Sequence, residues 1–149
     1  MFFSKRVQQI RRILVVEDEP LTAFDYEHTL QQADYEVIAT VARFRDAQQI
    51  ILGQGAVDLV ITDIQLAGVR SGIELARHAR ELGIAVLYAS GRPPEDATEQ
   101  RHALGCLAKP FLPRDLIRAI TVCERLVGSK PAGRLPRGMT VFPRDQVQS

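Results

Sequence analysis

The chain has 149 residues, 46% hydrophobic and 25% charged, with a formal net charge of +1. That suits one globular domain with a core of its own and gives no electrostatic case for nucleic acid or an anionic membrane. No apolar run reaches transmembrane length, and residues 1–12 lack the charge-then-apolar order of a signal peptide, so no membrane insertion and a cytoplasmic location are expected.

Strand-like and helix-like segments alternate along the chain. Residues 13–16 are a short apolar run that reads as a strand, and Glu17-Asp18 follows it at once. Pro20 opens a helix, where its missing N–H costs nothing, with Ala23, Tyr26, Leu30 and Ala33 on one stripe. Residues 36–41 form a second strand. Residues 43–52 form a second helix with Ala47, Ile50 and Ile51 inward, ended by Gly53 and Gly55. A third strand, 57–62, ends at Asp63. Ser71 with Glu74 three residues on predicts a capping box for a third helix, lined by Ile73, Ala76, Ala79 and Leu82 and stopped by Gly83.

Residues 84–89 form a fourth strand leading to Ser90. Pro93-Pro94-Glu95-Asp96 predicts the start of a polar, weakly anchored fourth helix that runs to about Leu104. Residues 106–108 form a fifth strand ending at Lys109. Residues 113–127 form a fifth helix with Leu116, Ile120, Cys123 and Val127 on one face. This pattern predicts an α/β fold of type (βα)5: a doubly wound, five-stranded parallel sheet. Residues 1–11 read as an N-terminal extension, 12–127 as the domain and 128–149 as a basic Gly/Pro-containing tail, mostly flexible, in which residues 139–142 could add a strand. Cys106 and Cys123 both sit in apolar stretches and are expected as buried reduced thiols.

Carboxyl ends of parallel strands line the ligand crevice of such a sheet. Glu17, Asp18, Asp63, Ser90 and Lys109 therefore meet in one pocket. Gathered carboxylates need a counter-charge, and all-oxygen ligands suit Mg²⁺. With a lysine and a hydroxyl beside them, they fit phosphoryl transfer onto a carboxylate nucleophile. Asp63 is favoured as that nucleophile because it stands singly on the central strand.

The stretches "ILVVEDEP", "DLVITDIQL", "VLYASG" and "LAKPF", in this order, resemble the receiver domain of two-component response regulators, which implies a flavodoxin-like fold with the strand order 2-1-3-4-5. The resemblance covers about residues 12–127. It implies that Asp63 accepts the phosphoryl group, and that Asp18 binds Mg²⁺ directly with Glu17 acting through water. It also implies that Gln65 gives its backbone carbonyl to the metal, that Lys109 binds the phosphoryl group before a cis Lys109–Pro110 bond, and that Ser90 is the switch hydroxyl. The donor would be a histidine kinase or a histidine phosphotransfer protein. The output would be a protein target rather than DNA, the chemistry self-catalysed rather than that of an enzyme, and a homodimer through the fourth and fifth helices possible.

Three departures stand out. Cys106 occupies the place of the family's switch aromatic, and Tyr88 is the nearest substitute. The loop after Asp63 has Leu66-Ala67 in place of Met-Pro and is one residue longer. The "YASG" stretch is similar to a stand-alone subgroup with Phe-Ala-Thr-Gly there; Arg92 and Gln65 sit where the family tunes access of the hydrolytic water, and Arg92 is expected to shield or contact the phosphoryl group. A haloacid-dehalogenase-type phosphatase needs an acid where Gln65 stands, and the chain has no Walker-type or G-x-G-x-x-G loop. A receiver-like module that is never phosphorylated is the remaining alternative. His28, His78 and His102 lack metal-ligand spacing and read as surface or boundary residues.

Overall fold

In the computed structural model, residues 10–53 and 55–144 are described, so the expectations for residues 1–9 and 145–149 lie outside the described residues. The elements are β1 (Arg12–Val16), α1 (Pro20–Gln32), β2 (Glu36–Val41), α2 (Phe44–Gly53), β3 (Leu59–Thr62), α3 (Ser71–Glu81), β4 (Ala85–Ser90), α4 (Ala97–Gln100), β5 (Gly105–Ala108), α5 (Pro113–Val127) and β6 (Met139–Val141). They form one sheet in the order β2-β1-β3-β4-β5-β6. The first five strands pair in parallel; β6 runs antiparallel to β5. The order 2-1-3-4-5 is as expected, but the strand count is corrected from five to six.

Alternation along each strand explains why the apolar runs have no polar interruption. Ile13 and Val15 face one core with Tyr26 and Leu30 of α1 and Leu116, Ile120 and Cys123 of α5. Leu14 and Val16 face a second core with Ala47 and Ile51 of α2 and Leu75, Ala76 and Ala79 of α3. A strand covered on both faces is apolar at every position.

The helices differ from expectation in two places. α3 begins at Ser71 itself, with Arg70 at the N-cap and no side-chain cap bond. Its buried stripe is Gly72, Leu75, Ala76 and Ala79, while Leu82 is exposed. α4 is a single turn, capped by Asp96, whose carboxylate accepts from the Glu99 N–H at 3.0 Å. It buries no residue, so tertiary packing has nothing with which to extend it.

The segment after Val127 is not wholly a loose tail. Gly138 takes a positive φ of 83° and turns the chain onto β5. Met139 and Phe142 are buried on opposite faces of the sheet, in the first and second cores respectively. Cys106 and Cys123 are free and buried, and burial pushes their thiols up to about 11 and 12.

Candidate functional site

The site forms where β1, β3, β4 and β5 end. The Asp63 N–H donates to the Val16 carbonyl at 3.1 Å, and the Lys109 N–H to the Ser90 carbonyl at 2.9 Å. These ladder bonds set the four strand ends at one level. They explain why residues up to 92 positions apart in sequence meet.

Lys109 Nζ donates to Glu17 Oε1 at 2.6 Å and to Asp63 Oδ2 at 2.8 Å. Glu17 is 2% exposed, yet both its oxygens are used, since Oε2 accepts the Glu19 N–H at 3.0 Å. Burial raises the Glu17 carboxyl above its ordinary range, and the bonds from Lys109 and the Glu19 backbone oppose that rise. Burial alone would lower the Lys109 ammonium; its bonds to Asp63 and Glu17 outweigh this and the net shift is upward. The lysine thus stays charged and acts as counter-ion to two acids.

Glu17, Asp18 and Asp63 each offer a carboxylate oxygen, and these oxygens lie within 4.8 Å of one another. Three carboxylate ligands at that spacing suit a hard divalent cation. Gln65 is exposed, and its N–H donates to Asp63 Oδ1 at 3.3 Å. The hydroxyl of Ser90, a residue 4% exposed, accepts the Arg92 N–H at 3.3 Å. Arg92 itself is exposed, and the Lys109–Pro110 bond is cis. Glu17, Asp18, Asp63 and Lys109 thus come together, and Ser90 is tied to them through the Lys109 backbone.

Two supports were not read from the sequence. The Ala67 N–H donates to Asp18 Oδ2 at 2.9 Å, from a turn closed by the Leu66–Val69 bridge with positive φ at Ala67 and Gly68. Gly68 signals a turn there, but nothing in the sequence marks the positive φ of Ala67 or its bond to Asp18. Gly72 lies against the backbone of Asp63 and Ile64, with its N–H on the Ile64 carbonyl at 2.9 Å; a Cβ there would overlap the Asp63 carbonyl oxygen. Tyr88 is fully buried, and its hydroxyl donates to the Glu99 carbonyl at 2.8 Å. His28 is exposed on α1, where it lines a cleft that Lys109 also lines, and His78 and His102 are half-buried on or beside helices; none of the three belongs to the acid cluster.

The response regulator receiver domain family matches residues 13–121. The chain belongs to that family. Among relatives of this receiver domain, the phyllosphere-induced regulator PhyR of Methylorubrum extorquens is 30% identical over 111 residues, covering 73% of this chain and 42% of PhyR. The aerobic respiration control protein ArcA of Escherichia coli is 34% identical over 122 residues, covering 78% of this chain and 50% of ArcA. The chain therefore spans about half the length of the curated relatives it matches. The response regulator TrrA of Thermotoga maritima, solved in complex with Mg²⁺-BeF, superposes with a TM-score of 0.66 at 27% identity, covering 75% of this receiver and 97% of that chain. Among the described residues no helix is long and apolar enough to cross a membrane.

Proposed function

We propose that this receiver domain accepts a phosphoryl group on Asp63 from a histidine kinase or histidine phosphotransfer protein in the cytoplasm, with Mg²⁺ held by Glu17, Asp18, Asp63 and the Gln65 carbonyl. The single observation that carries this is Lys109 bridging Glu17 and Asp63 beside a third carboxylate. A carboxylate oxygen of Asp63 attacks phosphorus; the new O–P bond replaces the donor's P–N bond, and the imidazole leaves with a proton. Bound Mg²⁺ neutralises charge on the transferring oxygens. Lys109 supplies a movable positive charge to the same oxygens, and the Ser90 hydroxyl donates to one of them. The Ala67 N–H keeps Asp18 aimed into the site.

A docking place for the donor lies next to this pocket. A cleft of about 500 Å³ opens between α1 and the start of α5, lined by Thr22, Asp25, Tyr26, Lys109, Pro110 and Phe111. Leu21 and Phe24 on α1 and Leu112 before α5 are 76%, 66% and 52% exposed. Exposed large apolar residues on two elements that pack together offer a protein contact. The same reading takes the output to be a protein–protein contact biased by the state of the site.

The test is intact-mass analysis after incubation with acetyl phosphate and Mg²⁺. One phosphoryl adduct is expected, absent in Asp63→Asn and absent when Mg²⁺ is chelated. A chain that takes no adduct from acetyl phosphate or from any kinase is instead the non-phosphorylated module. An adduct that persists in Asp63→Asn refutes the assignment of the acceptor. Arg92 lies two residues past the switch hydroxyl and is exposed, so its guanidinium is free to shield the adduct from water. Arg92→Ala is therefore expected to change the lifetime of the aspartyl phosphate several-fold, followed by the decay of the adduct mass; an unchanged lifetime removes Arg92 from the site.

A further inference from the structure

Strand β5 would be the open edge of the sheet without β6, and an unpaired edge is a template for an added strand. Residues 138–142 occupy it. The Ala108 N–H donates to the Gly138 carbonyl and the Phe142 N–H to the Leu104 carbonyl, both at 3.0 Å. Between these, Gly105 faces Val141, Cys106 faces Thr140 and Leu107 faces Met139. Gly105 is what permits this approach, because a Cβ there would overlap the Thr140 carbonyl oxygen. The strand is three residues long and has two buried anchors, Met139 at its start and Phe142 directly after its end. An eleven-residue connector, 128–138, joins it to α5. A short strand with few anchors on a long connector opens at lower cost than the strands inside the sheet.

The contacts of this strap lead to the phosphoryl site. The Phe142 ring packs on Tyr88 at 6.3 Å between centroids and shares its core cluster with Cys106. Tyr88 stands two residues before Ser90, and Cys106 three before Lys109. The small thiol at 106 leaves the space beside Tyr88 to a ring delivered from the C-terminal strand. Ala108, which holds the Gly138 carbonyl, directly precedes Lys109.

We propose that the outer edge of β5 is a strand-docking surface, occupied in the resting state by residues 138–142 of the same chain and vacated when Asp63 is phosphorylated. This rests on the phosphorylation reading above. At present Lys109 Nζ sits 2.8 Å from Asp63 Oδ2. A phosphoryl group on Asp63 replaces Oδ2 as the partner of Lys109, and the ammonium moves outward to stay on the transferred oxygens. The displacement passes to Ala108, whose N–H holds the Gly138 end of the strap. Loss of that bond frees the edge, with the two apolar sockets of Met139 and Phe142, for a β-strand of an output partner with apolar residues at the same spacing.

The experiment is hydrogen exchange of the Ala108 and Phe142 amides by NMR, with acetyl phosphate and Mg²⁺, and the adduct followed by mass. Exchange at both amides is expected to quicken at least tenfold with the adduct present, while Val60 and Ile61 in β3 stay unchanged and Asp63→Asn shows no effect. Unchanged protection in a protein that carries the adduct overturns the strap and leaves the phosphorylation reading standing. No adduct at all overturns both. A second variant works in the opposite direction. Thr140→Cys places a thiol opposite Cys106, and diamide, which takes up the two protons and two electrons, closes a disulfide that pins the strap. The pinned protein is expected to accumulate at least threefold less adduct than the same variant reduced, because coupling between two sites is reciprocal. Equal accumulation overturns the proposal.

Discussion

Lys109→Gln is expected to slow phosphorylation by acetyl phosphate at least a hundredfold and, at the same time, to tighten Mg²⁺ binding. The two effects have one cause. Lys109 is the cation between Glu17 and Asp63, at 2.6 and 2.8 Å. Removing it takes away a preorganised charge from the transferring oxygens, a loss of about 10²–10³ for one such donor. It also leaves three carboxylates whose repulsion only a metal ion relieves. The metal-free variant should lose roughly 2–3 kcal/mol of stability, less than for a fully buried pair because the lysine side chain is 24% exposed.

The pH dependence follows from Glu17, whose carboxyl is held above the ordinary carboxylate range by burial. A raised carboxyl means that the folded state binds the proton more tightly than the unfolded state. The stability penalty is therefore full at neutral pH and fades as pH falls through the folded-state pKa towards 4.5. Lys109→Gln removes the contributions that hold Glu17 down, so it widens this window upward. Urea denaturation at several pH values, with and without Mg²⁺, checks both signs. A variant less stable at low pH than at neutral pH, or one with weaker metal binding, contradicts this reading of Lys109.

Gly72→Ala is expected to cost about 2–3 kcal/mol, although alanine is the better helix former. Its Cβ would overlap the Asp63 carbonyl oxygen and crowd Ile64 Cα and the Ile64 carbonyl oxygen at 2.8 Å each. All three are backbone atoms that no rotamer change can clear. The turn that carries Asp63 would have to shift, so phosphorylation should weaken together with stability. Gly91→Ala is the matched control: nothing lies within 4 Å of a Cβ there, and its unfolding free energy from urea denaturation should stay within about 0.5 kcal/mol of the parent. A Gly72→Ala protein as stable as the parent would mean that α3 does not press on the acceptor turn.

Much of this receiver was legible because its signals are local. Pro20 and Pro113 mark where α1 and α5 begin, and both helices start there. Apolar runs ending in Glu17, Asp63 and Lys109 identify buried strands and the residues at their mouths. The α4 turn was overestimated because an acidic start does not make a helix without an apolar face to bury. The turn at Ala67 was missed because a positive φ at a non-glycine residue has no reliable sequence signal; it is imposed by closure of the Leu66–Val69 bridge and by the bond to Asp18.

By itself the sequence determined the βα alternation and which acids, hydroxyl and lysine stand at strand ends, because strand period, helix period and strand-end chemistry are all properties of short stretches; the strand order came through the family resemblance. Only the tertiary structure decided where residues 139–142 go. Three strand residues and one ring are too few to declare themselves, and their place depends on the bare Cα of Gly105 and the space beside Cys106, more than thirty positions away.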